Sequence, residues 1–189
     1  ASHELQTPLA ITRNKIELMV ESGSLNEDQI KDLNDIYLNL GRIVGLNRSL
    51  LLLSRIENGQ YTDTEDIDIN AAIKDILPDL VDIYEEKNIN FHYDWKDTLI
   101  IKCNKYLSQI ILTNLFKNAL SHSKPGSDIF IETNNQSLII KNTGDTPLEK
   151  DKIFQRFYHP QSASKDSIGL GLAIAKSIAN SYNLTLNYE

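Results

Sequence analysis

The first eight residues combine side chains that can do chemistry with a residue that bends helices. His3 is followed by Glu4, and Thr7 comes four residues after the histidine. Residues four apart share one face of a helix, so His3 and Thr7 are expected to point the same way. A neutral imidazole is a nucleophile, and a neighbouring carboxylate can hydrogen-bond or deprotonate the ring. Pro8 has no N–H, which predicts a bend and leaves the carbonyl of Glu4 without its helical partner.

An isolated pattern of this kind also fits a surface helix start with an inert histidine. Two further groups of residues could bind a phosphorylated ligand. Asn114 and Asn118 share one face of a predicted helix, and an amide oxygen is a ligand for Mg²⁺. Gly169 and Gly171 open another predicted helix, whose free N–H groups and dipole favour phosphate. The structural alternatives are an asparagine pair that fixes a loop and glycines that permit tight helix–sheet packing.

Two loop motifs lie between these helices. Asn142 and Gly144 follow a predicted strand, where both residue types are turn formers. The aromatic run Ile153–Tyr158 is expected to pack a loop onto the core. The polar segment 145–167 contains this run, and long loops without regular structure are usually functional or disordered. The segment between the turn and the last helix is therefore expected to be either functional or disordered.

Composition excludes several classes of protein. The 189 residues suffice for one large or two small domains, and the net charge of −7 argues against a nucleic-acid partner and against electrostatic attachment to anionic lipid. The single Cys103 excludes an internal disulfide and fits a reducing compartment. No apolar run approaches the roughly 20 residues of a membrane helix. No signal peptide is present, and the chain opens inside a motif, as expected of a fragment.

Residues 1–22 and 27–58 are predicted to form two helices, with Ser24 or Asn26 as the cap of the second. The second helix carries an a/d seam of apolar residues: Ile30, Leu33, Tyr37, Leu40, Val44 and Leu51. A second apolar stripe lies beside it: Ile36, Ile43, Leu46, Leu50 and Leu53. One partner helix cannot cover both stripes, so we predict a homodimer that forms a four-helix bundle. The alternative is a monomeric hairpin packed onto the second domain.

After a polar linker at 59–65, the pattern changes to alternating strands and helices. The predicted elements are a strand at 66–69, a helix from the cap Asn70 to about Lys87, strands at 90–95 and 99–102, a helix at 104–122, strands at 129–133 and 138–141, a helix at 170–182 and a strand at 184–188. The fold class is therefore α+β. A helical hairpin over 1–58 precedes an α/β sandwich over 66–189, with a mixed sheet and three helices.

These motifs, in this order, resemble the boxes of sensor histidine kinases. SHELQTPL resembles the phosphoacceptor box, and Asn114–Leu120 resembles the N box. IFQRFY resembles the F box, and Gly169-Leu170-Gly171 resembles the second glycine box. The resemblance covers a dimerisation and phosphotransfer domain at 1–58 and a catalytic ATP-binding domain at 66–189.

The resemblance implies a role for each motif. His3 takes the γ-phosphate of ATP, Glu4 hydrogen-bonds the ring and acts as base, and Thr7 positions a water for dephosphorylation of the partner. Asn118 is the implied ligand of Mg²⁺, and the segment 145–167 is the implied lid over ATP. The implied ATP-binding set is Asn114, Asn118, His122, Asn142, Gly144, Tyr158, Gly169, Leu170 and Gly171. The implied partner is a response-regulator receiver domain with an acceptor aspartate, and the implied location is the cytoplasmic portion of a membrane-bound sensor.

The chain also departs from the family pattern. Asn142 replaces the aspartate that accepts a hydrogen bond from the adenine amino group, and Thr146 and Ser167 replace glycines. An asparagine oxygen still accepts, but it lacks the charge that strengthens such a bond. His159 stands where an arginine is common, which leaves Arg156 as the cation of the F box.

These departures keep a second class of function open. A docking or phosphatase module that binds nucleotide poorly would retain the hairpin and Thr7 while lacking kinase activity. A third class, an ATPase clamp of the same wider fold, would need neither the hairpin nor the phosphoacceptor box.

Overall fold

The computed structural model describes residues 2–144, 149–158 and 168–189, with side chains from Thr7 onward. Most of the predicted lid, including Thr146, His159 and Ser167, lies outside these residues. The chain divides into two compact units, Ala1–Ser54 and Arg55–Glu189. No helix in the described ranges combines the length and the apolar character that crossing a membrane requires.

The first unit is a helical hairpin, as predicted. Helix α1 spans Ser2–Glu21 and continues through Pro8, and helix α2 spans Glu27–Glu57. Asn26 caps α2, because its Oδ1 accepts from the Gln29 N–H at 2.9 Å and its own N–H donates to Gln29 Oε1 at 3.0 Å. This reciprocal pair is a capping box. Of the two predicted caps, Asn26 is the one used.

Tyr37 joins the two helices of the hairpin. The Arg13 guanidinium lies 4.4 Å from the centre of the Tyr37 ring and donates to its hydroxyl, which in turn donates to Glu17 at 2.8 Å. Ile16 and Leu53 are buried. Large apolar side chains nevertheless stay exposed along the hairpin: Ile11, Leu18, Met19, Ile36, Leu38, Ile43 and Leu50.

The second unit is an α/β domain with a mixed sheet and three helices, as predicted. Its elements are β1 Glu65–Asp68, α3 Ile69–Ile83, a 3₁₀ turn Glu85–Lys87, β2 Asn90–Trp95, β3 Ile100–Cys103, α4 Lys105–His122, β4 Asp128–Thr133, β5 Leu138–Asn142 and α5 Gly171–Ser181. Strands β1 and β3 form an antiparallel pair. The larger sheet has the order β2-β4-β5, with β2 parallel and β5 antiparallel to β4.

The core of this unit lies between the helices and the sheet. Helix α3 buries Ile69, Ile73, Leu77 and Leu80, which recur at helical spacing. In α4, Leu107, Leu112, Phe116 and Leu120 are buried, whereas Ile110, Ile111 and Leu115 are only half-buried. Leu112 and Phe116 belong to the same core as the buried strand residues Ile129 and Ile131. Apolar residues lie on several sides of α4, so periodicity alone does not identify its most buried face.

Three local predictions were wrong. Helix α3 is capped by Asp68, whose Oδ1 accepts from the Ala71 N–H at 3.0 Å. Asn70 is instead buried, and its amide bonds Thr133 Oγ1 at 3.0 Å and the Asp97 carbonyl at 3.1 Å. The helix ends at Ile83, before the 3₁₀ turn. Residues 184–188 alternate in burial but form no strand.

Candidate active site

The phosphoacceptor motif lies on the first turns of α1. The backbone at His3 and Glu4 is helical, and their side chains fall outside the described part of the chain. Thr7 is exposed on the next turn. The Thr12 hydroxyl donates to the Pro8 carbonyl at 2.8 Å. The helix therefore passes through the proline and presents residues 3 and 7 on one face.

Asn114 of α4 lies against the first residue of α5. A Cβ atom built on Gly171 would lie only 2.9 Å from Asn114 Oδ1, so this position has no room for a side chain. The Asn114 amide is held in place because Nδ2 donates to the Ile110 carbonyl at 3.0 Å. Two motifs that are far apart in the sequence thus meet at the start of α5.

The N-terminus of α5 is left without a side-chain cap. Leu170 occupies the cap position, is buried, and offers no side-chain acceptor. Gly169 precedes it with a φ of 70°, a conformation that glycine adopts without strain. The Gly169 carbonyl accepts from the Phe157 N–H at 2.9 Å, which ties the aromatic motif to this loop. Within the described residues no capping side chain bonds the first N–H groups of α5, and such groups suit an anion.

The other end of α4 carries His122 and a threefold cap from Lys87. The lysine Nζ donates to the carbonyls of Leu120 at 2.8 Å, Ser121 at 2.6 Å and Ser123 at 3.0 Å. His122 is half-buried. Burial, and then the charge of Lys87, hold the pKa of His122 below its ordinary value, which keeps the imidazole neutral.

The turn after β5 approaches this end of α4. A Cβ atom on Gly144 would be 3.8 Å from the His122 carbonyl, an ordinary contact. The Lys124 N–H donates to the Thr143 carbonyl at 3.3 Å. Asn142, the last residue of β5, is exposed, so its amide is accessible to a ligand.

The aromatic motif packs one side of its loop onto the domain. Ile153 is buried, and Lys176 Nζ lies 5.3 Å from the centre of the Phe154 ring. The Tyr158 hydroxyl contacts Glu149 at 3.5 Å. Arg156, the remaining cation of this motif, forms an ion pair with Glu57 near the end of α2. Both partners of that pair are about half exposed.

Two protein-family models match this chain in tandem. Residues 1–59 match the His Kinase A (phospho-acceptor) domain. Residues 105–189 match the Histidine kinase-, DNA gyrase B-, and HSP90-like ATPase domain. The chain belongs to the sensor histidine kinase family. The expected family is thereby confirmed.

Relatives agree with this membership. The heme sensor protein HssS of Staphylococcus aureus is 33% identical over 99% of this chain and 42% of its own length. The chain thus spans about two fifths of that relative. A solved structure of the Acinetobacter baumannii histidine kinase AdeS superposes with a TM-score of 0.61 at 25% identity, over 95% of this chain and 86% of that one. Full-length ShkA, solved with AMPPNP, shares the fold with a TM-score of 0.67 at 21% identity, over 95% of this chain and 39% of that one.

The expected kinase residues fall into groups in this structure. Asn114 contacts the Gly171 position, and Gly169 and Leu170 belong to the same loop. His122 lies beside Gly144 at the other end of α4. Asn118, half-buried, is on the intervening turn of α4. His3, Glu4 and Thr7 belong to the other compact unit.

Lys87 is the residue that sequence reasoning missed. It touches three carbonyls at the end of the N-box helix and lowers the pKa of His122. It comes more than thirty positions before its partners and belongs to no motif. Its only signal is a lysine at the end of a helical segment, which is common on protein surfaces.

The donor set suits a metal that is held mainly by a ligand's phosphates. Within the described ranges, no three or more His, Cys, Asp or Glu side chains cluster to hold a metal ion. Asn118 offers an amide oxygen one helical turn from Asn114, and Asn114 lies against the start of α5. Mg²⁺ usually keeps several waters and takes few protein ligands in addition to phosphate oxygens, so this arrangement fits it.

Proposed function

We propose that this chain is a histidine autokinase that phosphorylates His3 from ATP and passes the phosphoryl group to an aspartate of a response regulator. The observation that carries the proposal is the tandem arrangement of the two domains. A histidine in the phosphoacceptor motif opens α1, and a nucleotide-type site lies at the glycine contact between α4 and α5.

The ATP site is assembled around α4. The phosphates bind the backbone N–H groups at the uncapped N-terminus of α5. Asn114 lies so close to Gly171 that position 171 has no room for a side chain. Asn118 holds Mg²⁺, which neutralises phosphate charge when bound. Asn142 accepts a hydrogen bond from the adenine amino group, and the neutral His122 contacts the nucleotide beside Gly144. Tyr158 holds one end of the lid over the nucleotide.

The transfer step is carried by two neighbouring residues. The Nε2 lone pair of His3 attacks the γ-phosphorus, forming a P–N bond as the bond to the β,γ-bridging oxygen breaks and ADP leaves. Glu4 takes the Nδ1 proton from the ring, which stabilises the phosphorylated imidazole. Positioning supplies most of the rate, as in other phosphoryl transfers.

A homodimer and a receiver domain are the proposed partners. The exposed Ile36, Ile43 and Leu50 form a stripe along α2, which a second copy of the hairpin would bury. The phosphoryl group then moves from His3 to the receiver aspartate. When the chain acts as a phosphatase, Thr7 positions the water that attacks the aspartyl phosphate of the receiver domain.

One observation favours a second candidate, a docking or phosphatase module with poor nucleotide binding. Arg156, the cation of the F box, is paired with Glu57, and Asn142 brings no charge to adenine. The retained Asn118, Tyr158 and glycine loop favour the kinase.

The deciding experiment is transfer of label from γ-labelled ATP with Mg²⁺, using a protein extended at its N-terminus so that the first turn of α1 does not fray. We expect an acid-labile label that falls to background in His3→Ala and in Asn118→Ala. The His3→Ala variant should still bind ATP, whereas Asn118→Ala should not bind it in a Mg²⁺-dependent way. Absence of both label and ATP binding in the unsubstituted protein would refute the kinase proposal and favour the docking or phosphatase module.

A further inference from the structure

Asn47 is a polar residue in the apolar seam of α2. It follows Leu40 by seven residues, and it falls between Val44 and Leu51 at the spacing of the heptad. Its Nδ2 atom is buried and has no hydrogen-bond partner within the described part of the chain. A buried donor without a partner is rare in native proteins and calls for one that the isolated chain does not supply.

The seam faces the other helix of the hairpin. Tyr37, one heptad before Val44, contacts Arg13 and Glu17 of α1. Asn47 is nevertheless only half-buried, so rotation of the amide would turn Nδ2 from its covered position toward the open side of the residue. The exposed Ile43 and Leu50 stand four residues before and three residues after Asn47 and share its helix face.

A second copy of this chain is the partner that fits such a residue. In a bundle with a two-fold axis parallel to its helices, each residue lies level with its own counterpart, so Asn47 meets Asn47 of the second copy. An amide group is both donor and acceptor and is therefore complementary to itself. A leucine at this position of a partner would leave the amide unpaired.

We propose that Asn47 determines which chains pair with this one, by exchanging hydrogen bonds with its counterpart inside the dimer. A single buried asparagine fixes register and partner choice in coiled coils at a cost in stability. The inference rests on the homodimer of the proposed function. It needs neither ATP nor phosphorylation, so it can fail while the kinase assignment stands.

The test is subunit mixing. Wild-type and Asn47→Leu chains with different tags are unfolded together, refolded, and counted as dimers by native mass spectrometry. We expect heterodimers to fall roughly tenfold below random assortment, because each leaves one buried amide unpaired. The control mixes wild type with Ile43→Leu, an apolar exchange on the adjacent stripe, and should give random proportions.

Two more measurements make the outcome decisive. The Asn47→Leu homodimer should melt at a higher temperature than wild type, because the apolar seam is then complete. Random mixing with Asn47→Leu, a lower melting temperature for its homodimer, or a monomeric wild-type chain would each overturn the proposal. Autophosphorylation of the same wild-type sample with γ-labelled ATP tests the kinase assignment separately, so failure of the Asn47 proposal can be distinguished from failure of the kinase assignment.

Discussion

Gly171→Ala probes the close contact between Asn114 and Gly171, two residues of the proposed nucleotide site. The added Cβ would stand 2.9 Å from Asn114 Oδ1, closer than such atoms pack, and at an ordinary 3.7 Å from Asn114 Cγ. The asparagine must therefore move and give up its bond to the Ile110 carbonyl. A lost hydrogen bond costs about 1 kcal/mol and crowding a further 1–3 kcal/mol, against a helix-propensity gain of at most about 1 kcal/mol.

The net expectation is a loss of roughly 1–3 kcal/mol in the free energy of unfolding of the second unit. For a domain of this size that lowers the melting temperature by about 3–12 °C. Trp95, the single tryptophan, lies in the second unit, so its fluorescence follows the unfolding of that unit alone.

A matched control is Gly144→Ala, whose Cβ would make only an ordinary contact at 3.8 Å. It should leave the melting temperature unchanged or slightly raised. The double variant Gly171→Ala with Asn114→Ala should recover part of the loss, because the obstructing amide is gone. If Gly171→Ala melted like Gly144→Ala, the reasoning about the close contact would be refuted.

Three further predictions concern α4 and adenine. Lys87→Met should destabilise the second unit by about 2–3 kcal/mol through its lost carbonyl bonds and should raise the pKa of His122 in an NMR titration, whereas Lys87→Arg should do less. The pKa of His122 is lowered on folding, so below about pH 6.5 the unfolded chain binds more protons than the folded chain. The free energy of unfolding should therefore fall as the pH drops below about 6.5. In denaturant titrations, His122→Gln should make the free energy of unfolding less dependent on pH. Asn142→Asp should tighten ATP binding by roughly fivefold in calorimetry, because a charged acceptor strengthens the bond to the amino group; equal or weaker binding would remove Asn142 from the adenine site.

The sequence predicted the elements of this fold well where a single period dominates. The heptads of α2 and the alternation of β4 and β5 come from local patterns, and the structure has these elements. The cap of α3 was misjudged because Asp68 and Asn70 are both capping residues, and only the distant Thr133 and Asp97 show that Asn70 is needed in the core. Residues 184–188 have the alternation of a strand, but a strand also needs a neighbour to pair with.

In the candidate site too, local patterns predicted some residues, whereas contacts between distant residues could not be predicted. Spacing on one helix face identified Asn114 and Asn118, and glycines before a helix identified the start of α5. Sequence could not show that Lys87 caps α4 or that Arg156 pairs with Glu57, because both contacts join residues far apart in the chain. Such partners follow from tertiary packing, which no local pattern encodes.

Cys103 is the single cysteine and is buried at the end of β3. Burial, and then the charge of Glu65, raise the pKa of its thiol, so the reactive thiolate is scarce at neutral pH. A cysteine introduced on the surface of the hairpin would therefore react selectively with a fluorescent dye while the native core stays intact. With Trp95 as the energy-transfer donor in the second unit, one such label would report changes in the distance between the units during a catalytic cycle.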